Sequence, residues 1–189
     1  MSLYLVRHGE TDYNRQKRIQ GHEDIPMNSN GLAQAQATAA ALKTVPFQRI
    51  ICSPLQRAYN TAEIIASFHS GVSLEVDPDL IERDYGLLSG LTPQERELFA
   101  RTGRPDLVES LEALQMRAWN VVRRYTSVDP VLLVSHGAWI NSLVGKITDH
   151  QLGTGKTLLK NGSICVLDSD LSLLHYNLTP EEWILQNCD

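Results

Sequence analysis

Leu3-Tyr4-Leu5-Val6-Arg7-His8-Gly9-Glu10 is the stretch on which the reading of this chain turns. Its first four residues are an unbroken apolar run, and continuous rather than alternating apolarity predicts a strand covered on both faces. The run then stops at a cation, an imidazole and a glycine. In open parallel sheets, ligands bind beyond the carboxyl ends of the strands. Arg7 and His8 therefore stand where a rigid element would deliver chemistry.

Working outward, three more apolar runs read as buried strands: Arg49–Cys52, Val131–Ser135 and Ser163–Leu167. Helical spacing lies between them. Leu32, Ala35, Ala39 and Leu42 share one face, with Ser29 or Asn30 as N-cap. Leu55, Ala58, Ala62 and Ile65 share another, with Ser53-Pro54 as cap and first turn. Leu111, Leu114, Ala118, Val121, Val122 and Tyr125 form a long stripe, and Ile140, Leu143, Val144 and Ile147 a shorter one. Ser163–Leu167 and Leu171–His175 flank the turn-forming Asp168-Ser169-Asp170 and predict a hairpin. Strands alternating with helices predict an α/β fold with a mainly parallel sheet. Residues 1–189 contain no repeat or linker and are read as a single domain; Thr102–Pro105 is read as a loop within it.

Composition narrows the partners. The formal net charge is -5, and no block of lysine or arginine stands out, so neither nucleic acid nor an acidic membrane surface is expected to bind. Cys52, Cys165 and Cys188 are widely spaced and form no CxxC pair, which fits a reducing compartment and argues against a disulfide framework or a zinc site. No secretory signal and no run of membrane-spanning length is seen, so the expected address is the cytoplasm.

The chemistry sits at three strand ends. Arg7-His8-Gly9 follows the first strand, Ser135-His136-Gly137 ends the strand 131–135, and Arg57 lies one turn beyond Arg49–Cys52. If these strands are neighbours, two arginines and two histidines converge. Phosphate chemistry needs such a set: the planar guanidinium binds phosphoryl oxygens through paired, charge-assisted hydrogen bonds, and a neutral imidazole attacks phosphorus directly. Glycine after each histidine would let backbone approach the ligand, while Asn14 and Gln20-Gly21 would add neutral donors. Singly, a histidine at a strand end or an arginine at a helix start carries no such meaning; the ordered combination does. His22, His69, His150 and His175 match no such pattern and read as surface or structural. Trp119 reads as packing, Trp139 as core or pocket mouth, and Glu109 as a favourable charge at a helix start.

The segments "LVRHGETDYN", "RIQGHEDIPMNSNGLAQA", "CSPLQRAYNTA", "LIERDYGLLSG" and "VSHGA" resemble the histidine phosphatase superfamily, in the branch that also holds the cofactor-dependent phosphoglycerate mutases. The resemblance implies a three-layer α/β/α sandwich and phosphoryl transfer in two steps through a phosphohistidine. By the same resemblance His8 is the nucleophile, and Arg7, Arg57 and a protonated His136 clamp the phosphoryl oxygens with Asn14 as a further contact. Glu82 is the general acid that protonates the leaving oxygen and then draws a proton from water. Partial burial or a negative neighbour would keep Glu82 protonated, and the substrate phosphate is such a neighbour. The other ring nitrogen of His8 needs an orienting partner, for which a backbone carbonyl is expected. No metal and no cofactor is called for.

The implied activity is that of a metal-independent, acid-type phosphomonoesterase acting on a small phosphorylated metabolite. Two alternatives stand beside it: a phosphoglycerate mutase, which alone would require a bisphosphoglycerate primer, and a phospho-ligand-binding protein without catalysis. "ERDYGLLSG" is more mutase-like than phosphatase-like. Against the mutase, only a short stretch lies between Gly90 and the long helix, with Arg96, Arg101 and Arg104 as substitutes for its carboxylate-binding arginines. Contacts beyond phosphate are expected from 15–30 and 83–110, with Gln20, His22, Arg83, Tyr85 and Arg104 as candidates. Sugar phosphates, phosphoglycerates, nucleotide-like phosphates and phosphoproteins are all compatible with them. An edge strand of such a sheet could pair across a two-fold axis, so a homodimer is compatible too.

Overall fold

The computed structural model describes residues 2–127 and 130–187; Cys188 lies outside them. Six strands form one sheet: β1 (Leu3–Arg7), β2 (Arg49–Cys52), β3 (Ser73–Val76), β4 (Val131–Ser135), β5 (Ile164–Leu167) and β6 (Leu173–Leu178). Their spatial order is β3-β2-β4-β1-β5-β6. The first four are mutually parallel, and β5 and β6 add antiparallel at one edge as the expected hairpin. Asp168 makes that turn, its carboxylate accepting the N–H groups of Asp170 and Ser172. Strand β6 begins at Leu173 rather than at Leu171, which is buried within the turn.

The helices are α1 (Asp12–Arg15), α2 (Ser29–Leu42), α3 (Gln56–Ala66), α4 (Pro93–Ala100), α5 (Leu111–Arg124), α6 (Gly137–Ile147) and α7 (Pro180–Asn187). Five of them cover the sheet, α5 and α6 on one face and α2, α3 and α7 on the other. Leu3 and Leu5 of β1 and Val131 and Leu133 of β4 pack with α5 and α6. Val6, Leu132 and Val134 point the other way, into a second core with α2, α3 and Trp183 of α7. Side chains alternate across a strand, so burial on both faces requires every position to be apolar. The continuous runs have this cause, and the three-layer α/β/α sandwich follows from it.

Three local expectations are corrected. The cap of α2 is Asn28, whose side chain accepts the Gly31 N–H, one residue before Ser29. Leu32 is exposed, because α2 buries the Gly31, Ala35, Thr38, Ala39 and Leu42 side instead. Ser53 does not cap α3; Leu55 holds the cap position without a side-chain bond.

Gly9 also serves a different end from the one expected. A Cβ there would lie 2.2 Å from the Gly31 carbonyl oxygen, and a Cβ on Gly31 would lie 2.1 Å from that of Glu10. The missing side chains let the end of β1 lie against the first turn of α2, rather than against a ligand. Backbone meets backbone on both sides, so neither can yield. Gly31→Ala is expected to cost ~3 kcal/mol by overpacking, read as a lowered urea midpoint; an unchanged midpoint would contradict this packing.

Candidate active site

Strand register brings the chemistry together. Arg7 pairs with Ser135 across β1 and β4, and Cys52 pairs with Val134 across β2 and β4. The residues just beyond, His8, Ser53 and His136, therefore leave the sheet side by side. The His8 and His136 rings lie 5.1 Å apart between centroids. Both histidines and Arg57 are buried. A cavity of about 290 Å³ opens at this edge, lined by Arg7, His8, Asn14, Gln20, Gly21, Arg57, Glu82 and Tyr85 among others.

His8 Nδ1 lies 2.7 Å from the Gly9 carbonyl oxygen. A carbonyl only accepts, so Nδ1 carries the proton and Nε2 keeps its lone pair. Burial, reinforced by the charges of Arg57 and Arg7, holds His8 well below the ordinary imidazole range, so the ring is neutral. Asn161, which sequence reasoning did not single out, donates to the His8 carbonyl (3.0 Å) and to Asn14 Oδ1 (3.2 Å). Asn14 Oδ1 also accepts the Thr11 N–H at 3.2 Å. Its oxygen is thus committed, and its amide nitrogen is left to donate.

Arg57 spends its terminal nitrogens on the carbonyls of Glu23 (2.7 Å) and Gly21 (2.9 Å). Gly21 thereby holds the guanidinium through its carbonyl while lining the cavity. Arg7 Nη1 donates to the Leu159 carbonyl, and a Cβ on Gly137 would stand only 3.3 Å from Arg7 Nε, so the glycine makes room for the guanidinium. Burial pushes Arg57 down to about 10, against the pull of Glu82 and Asp24, and it remains charged at neutral pH. Arg7 Nε, Arg57 Nε and His136 Nδ1 are buried without hydrogen-bond partners among the described residues. Such groups are rare in folded proteins because each costs roughly 1–3 kcal/mol. All three belong to side chains that bear on the His8 imidazole, Arg7 and Arg57 by their charges and His136 by its neighbouring ring.

Burial, then the nearby charges of Arg57, His8 and Arg7, hold His136 well below the ordinary imidazole range, so its ring is neutral ahead of substrate; a phosphoryl dianion would act in the opposite direction.

Glu82 hangs over the amino end of α6. Its Oε1 accepts the N–H groups of Arg83 (2.8 Å) and Trp139 (3.0 Å), and its Oε2 accepts that of Ala138 (3.1 Å). Three backbone donors fix the carboxylate at the cavity wall. Trp139 contributes this N–H while its side chain is fully buried in the core. His22 reaches the site only indirectly, with Nε2 2.9 Å from the Glu82 carbonyl oxygen.

The outer wall differs most from expectation. Tyr85 lines it, its phenol pushed up to about 12 chiefly by burial. Arg83 does not: its Nε donates to the Glu109 carbonyl at 2.8 Å, and its guanidinium lies over the Tyr85 ring. Glu109 is no simple helix-end charge, since its carboxylate pairs with Arg117. Arg96, Arg101 and Arg104 are absent from the lining; Arg101 pairs with Glu97 and Arg104 lies over Phe99. In their place stand Arg18, Ile19, Asn141, Thr154, Leu158 and Leu159. The segment carrying the last three follows α6 and has no periodicity to announce it; the Gly153-Thr154-Gly155 run was its one turn signal.

Comparison with known proteins agrees with this geometry. Residues 3–176 match the model of the histidine phosphatase superfamily, branch 1, and the chain belongs to that family. The protein named uncharacterized phosphatase PhoE from Bacillus subtilis is 37% identical over 86% of this chain and 86% of its own. A probable phosphoglycerate mutase GpmB from Cronobacter sakazakii is 35% identical over 89% of this chain and 85% of its own. Among solved structures, a mycobacterial glucosyl-3-phosphoglycerate phosphatase superposes with a TM-score of 0.83 at 28% identity, over 94% of this chain and 99% of that one. Phosphoserine phosphatase from Entamoeba histolytica superposes at 0.80 with 27% identity, over 94% and 97%.

Proposed function

We propose that this protein is a phosphomonoester hydrolase acting on a small phosphorylated metabolite through a phosphohistidine on His8. The observation that carries the reading is the neutral His8, whose Nδ1–H donates to the Gly9 carbonyl and leaves Nε2 bare, beside three unpartnered buried nitrogens. In the first step His8 Nε2 forms a bond to phosphorus while the ester P–O bond breaks. Arg7 and Arg57 neutralise the phosphoryl oxygens, whose charge dominates such transition states. Glu82 gives its proton to the departing alkoxide. In the second step Glu82 takes a proton from water, the hydroxide oxygen bonds to phosphorus, and the N–P bond breaks to restore His8 and release inorganic phosphate.

Several observations favour hydrolysis over mutase action. A mutase needs a cation for the substrate carboxylate; Arg101 and Arg104 are turned elsewhere, and Arg96, though it bears on the Tyr85 phenol, is off the cavity lining. Arg18, the added cation on the cavity wall, already donates to the Gly90 carbonyl at 2.7 Å and pairs with Glu95. Named phosphatases occur among both the sequence relatives and the structural neighbours. The mutase reading has its own support in relatives carrying that name. The convergence of His8, Arg7, Arg57, Glu82 and His136 speaks against a binding protein without catalysis.

The deciding experiment is a phosphomonoester panel that includes 3-phosphoglycerate with and without 2,3-bisphosphoglycerate. Release of inorganic phosphate, undiminished by excess chelator, is expected. Primer-dependent isomerisation in its place would establish the mutase, and loss of activity to the chelator would overturn the metal-free chemistry.

A further inference from the structure

Ser53 was expected to cap a helix, and its hydroxyl is occupied otherwise. The residue is fully buried at the carboxyl end of β2, with its backbone N–H on the Val134 carbonyl at 3.0 Å. Its Oγ lies 2.7 Å from His136 Nε2 and accepts the Leu55 N–H at 3.3 Å. No other hydrogen-bond partner of this hydroxyl is found among the described residues. A serine hydroxyl has one hydrogen to give, and leaving it unbonded in the interior costs roughly 1–3 kcal/mol. With Leu55 donating to Oγ, that hydrogen has one acceptor to reach, the Nε2 of His136. A neutral imidazole that accepts at Nε2 carries its proton on Nδ1. In His136 this is the nitrogen that is buried and unpartnered, on a ring whose centroid lies 5.1 Å from that of His8.

We propose that Ser53 is a positioning residue that locks His136 in its Nδ1–H tautomer, so that a neutral ring serves as a hydrogen-bond donor to the phosphoryl group taken by His8. The inference rests on the hydrolytic reading above for its purpose, but the tautomer itself can be read without activity. It answers a conflict in the site. The phosphoryl oxygens need a donor at this position, yet a further cation beside Arg7 and Arg57 is disfavoured, and burial with those charges keeps His136 neutral. Without the hydroxyl, the neutral ring is free to hold its proton on Nε2. It then turns a lone pair toward the phosphoryl oxygens and repels them.

The test is nitrogen-15 spectroscopy of the full chain with labelled histidine, free and with inorganic phosphate, paired with kinetics of Ser53→Ala and Ser53→Thr. In the wild-type protein, the His136 signals are expected to show Nδ1 protonated and Nε2 bare, and inorganic phosphate should shift the Nδ1 proton to a stronger hydrogen bond. Ser53→Ala should mix the tautomers and lower kcat about tenfold at neutral pH. Ser53→Thr, which keeps the hydroxyl, should restore the wild-type tautomer. A wild-type ring protonated on Nε2 would overturn the proposal, as would a Ser53→Ala ring that keeps the wild-type tautomer. Should either variant fail to fold, the wild-type spectrum decides alone. Should no phosphomonoester be hydrolysed, the hydrolytic reading fails while the tautomer is still measured.

Discussion

His8→Ala is expected to lower phosphomonoester turnover by at least ~10⁴-fold while leaving the chain folded. Removing a covalent nucleophile deletes the first step outright, and what remains is whatever the arginines do for a direct attack by water. The measurement is single-turnover release of inorganic phosphate, with trapping of an acid-labile phosphoryl label that wild type acquires and the variant does not. Hydrolysis at the wild-type rate would remove His8 from the mechanism. The same variant has a second readout in stability. His8 and His136 are both held well below the ordinary value of 6.5. Below that value the unfolded chain takes up protons that the folded chain refuses, so stability rises with pH and is lost on acidification. His8→Ala removes one of these groups, so its stability should fall less steeply than that of wild type as the pH is lowered through and below 6.5.

Glu82→Gln is expected to slow hydrolysis of alkyl phosphates by roughly 10²–10⁴-fold, and that of aryl phosphates with good leaving groups far less. An alkoxide needs the proton that Glu82 supplies, whereas an activated phenolate departs without it. Equal slowing of both classes would count against an acid at this position. The surroundings of Glu82 add a structural consequence. Both carboxylate oxygens accept backbone N–H groups, from Arg83 and Trp139 on one side and Ala138 on the other. A glutamine offers one oxygen only, so its NH₂ must face a backbone N–H at the start of α6. Chemical denaturation should show a loss of roughly 1–3 kcal/mol, the cost of a buried donor without an acceptor. The leaving-group dependence separates the chemical effect from this structural one, because a misplaced side chain slows both substrate classes.

The sequence was most legible where burial imposes a pattern. The runs at 3–6, 50–52 and 131–134 had to be apolar throughout because helices cover both sheet faces, and their polar successors marked the site. Strand β3, Ser73–Val76, was missed because its side chains are only partly covered at the sheet edge and carry no apolar run. Helix α4, Pro93–Ala100, was missed because it buries none of its residues and so has no stripe to show. Helix α1 is a single turn held by the Thr11 capping box, too short for periodicity to register. Among site residues, His8, Arg7, Arg57, Glu82, His136 and Asn14 stand in ordered motifs and were named from them. Arg83 was named from its neighbours and lies off the lining, because its direction depends on the Glu109 carbonyl, distant in sequence.

By itself, the sequence determined the α/β class, the strand ends that hold the chemistry, and the residue types suited to phosphoryl transfer. These are local properties: period, apolarity, and side-chain chemistry at fixed spacing. Tertiary structure alone decided how the groups act on one another. It seated Glu82 on α6, gave the Arg57 guanidinium two carbonyl partners, brought 154–159 to the cavity in place of 86–110, and turned Ser53 from a helix cap to His136. Each of these is a contact between segments far apart in the chain. Hydrogen-bond direction and desolvation depend on three-dimensional neighbours, which spacing along the sequence does not encode.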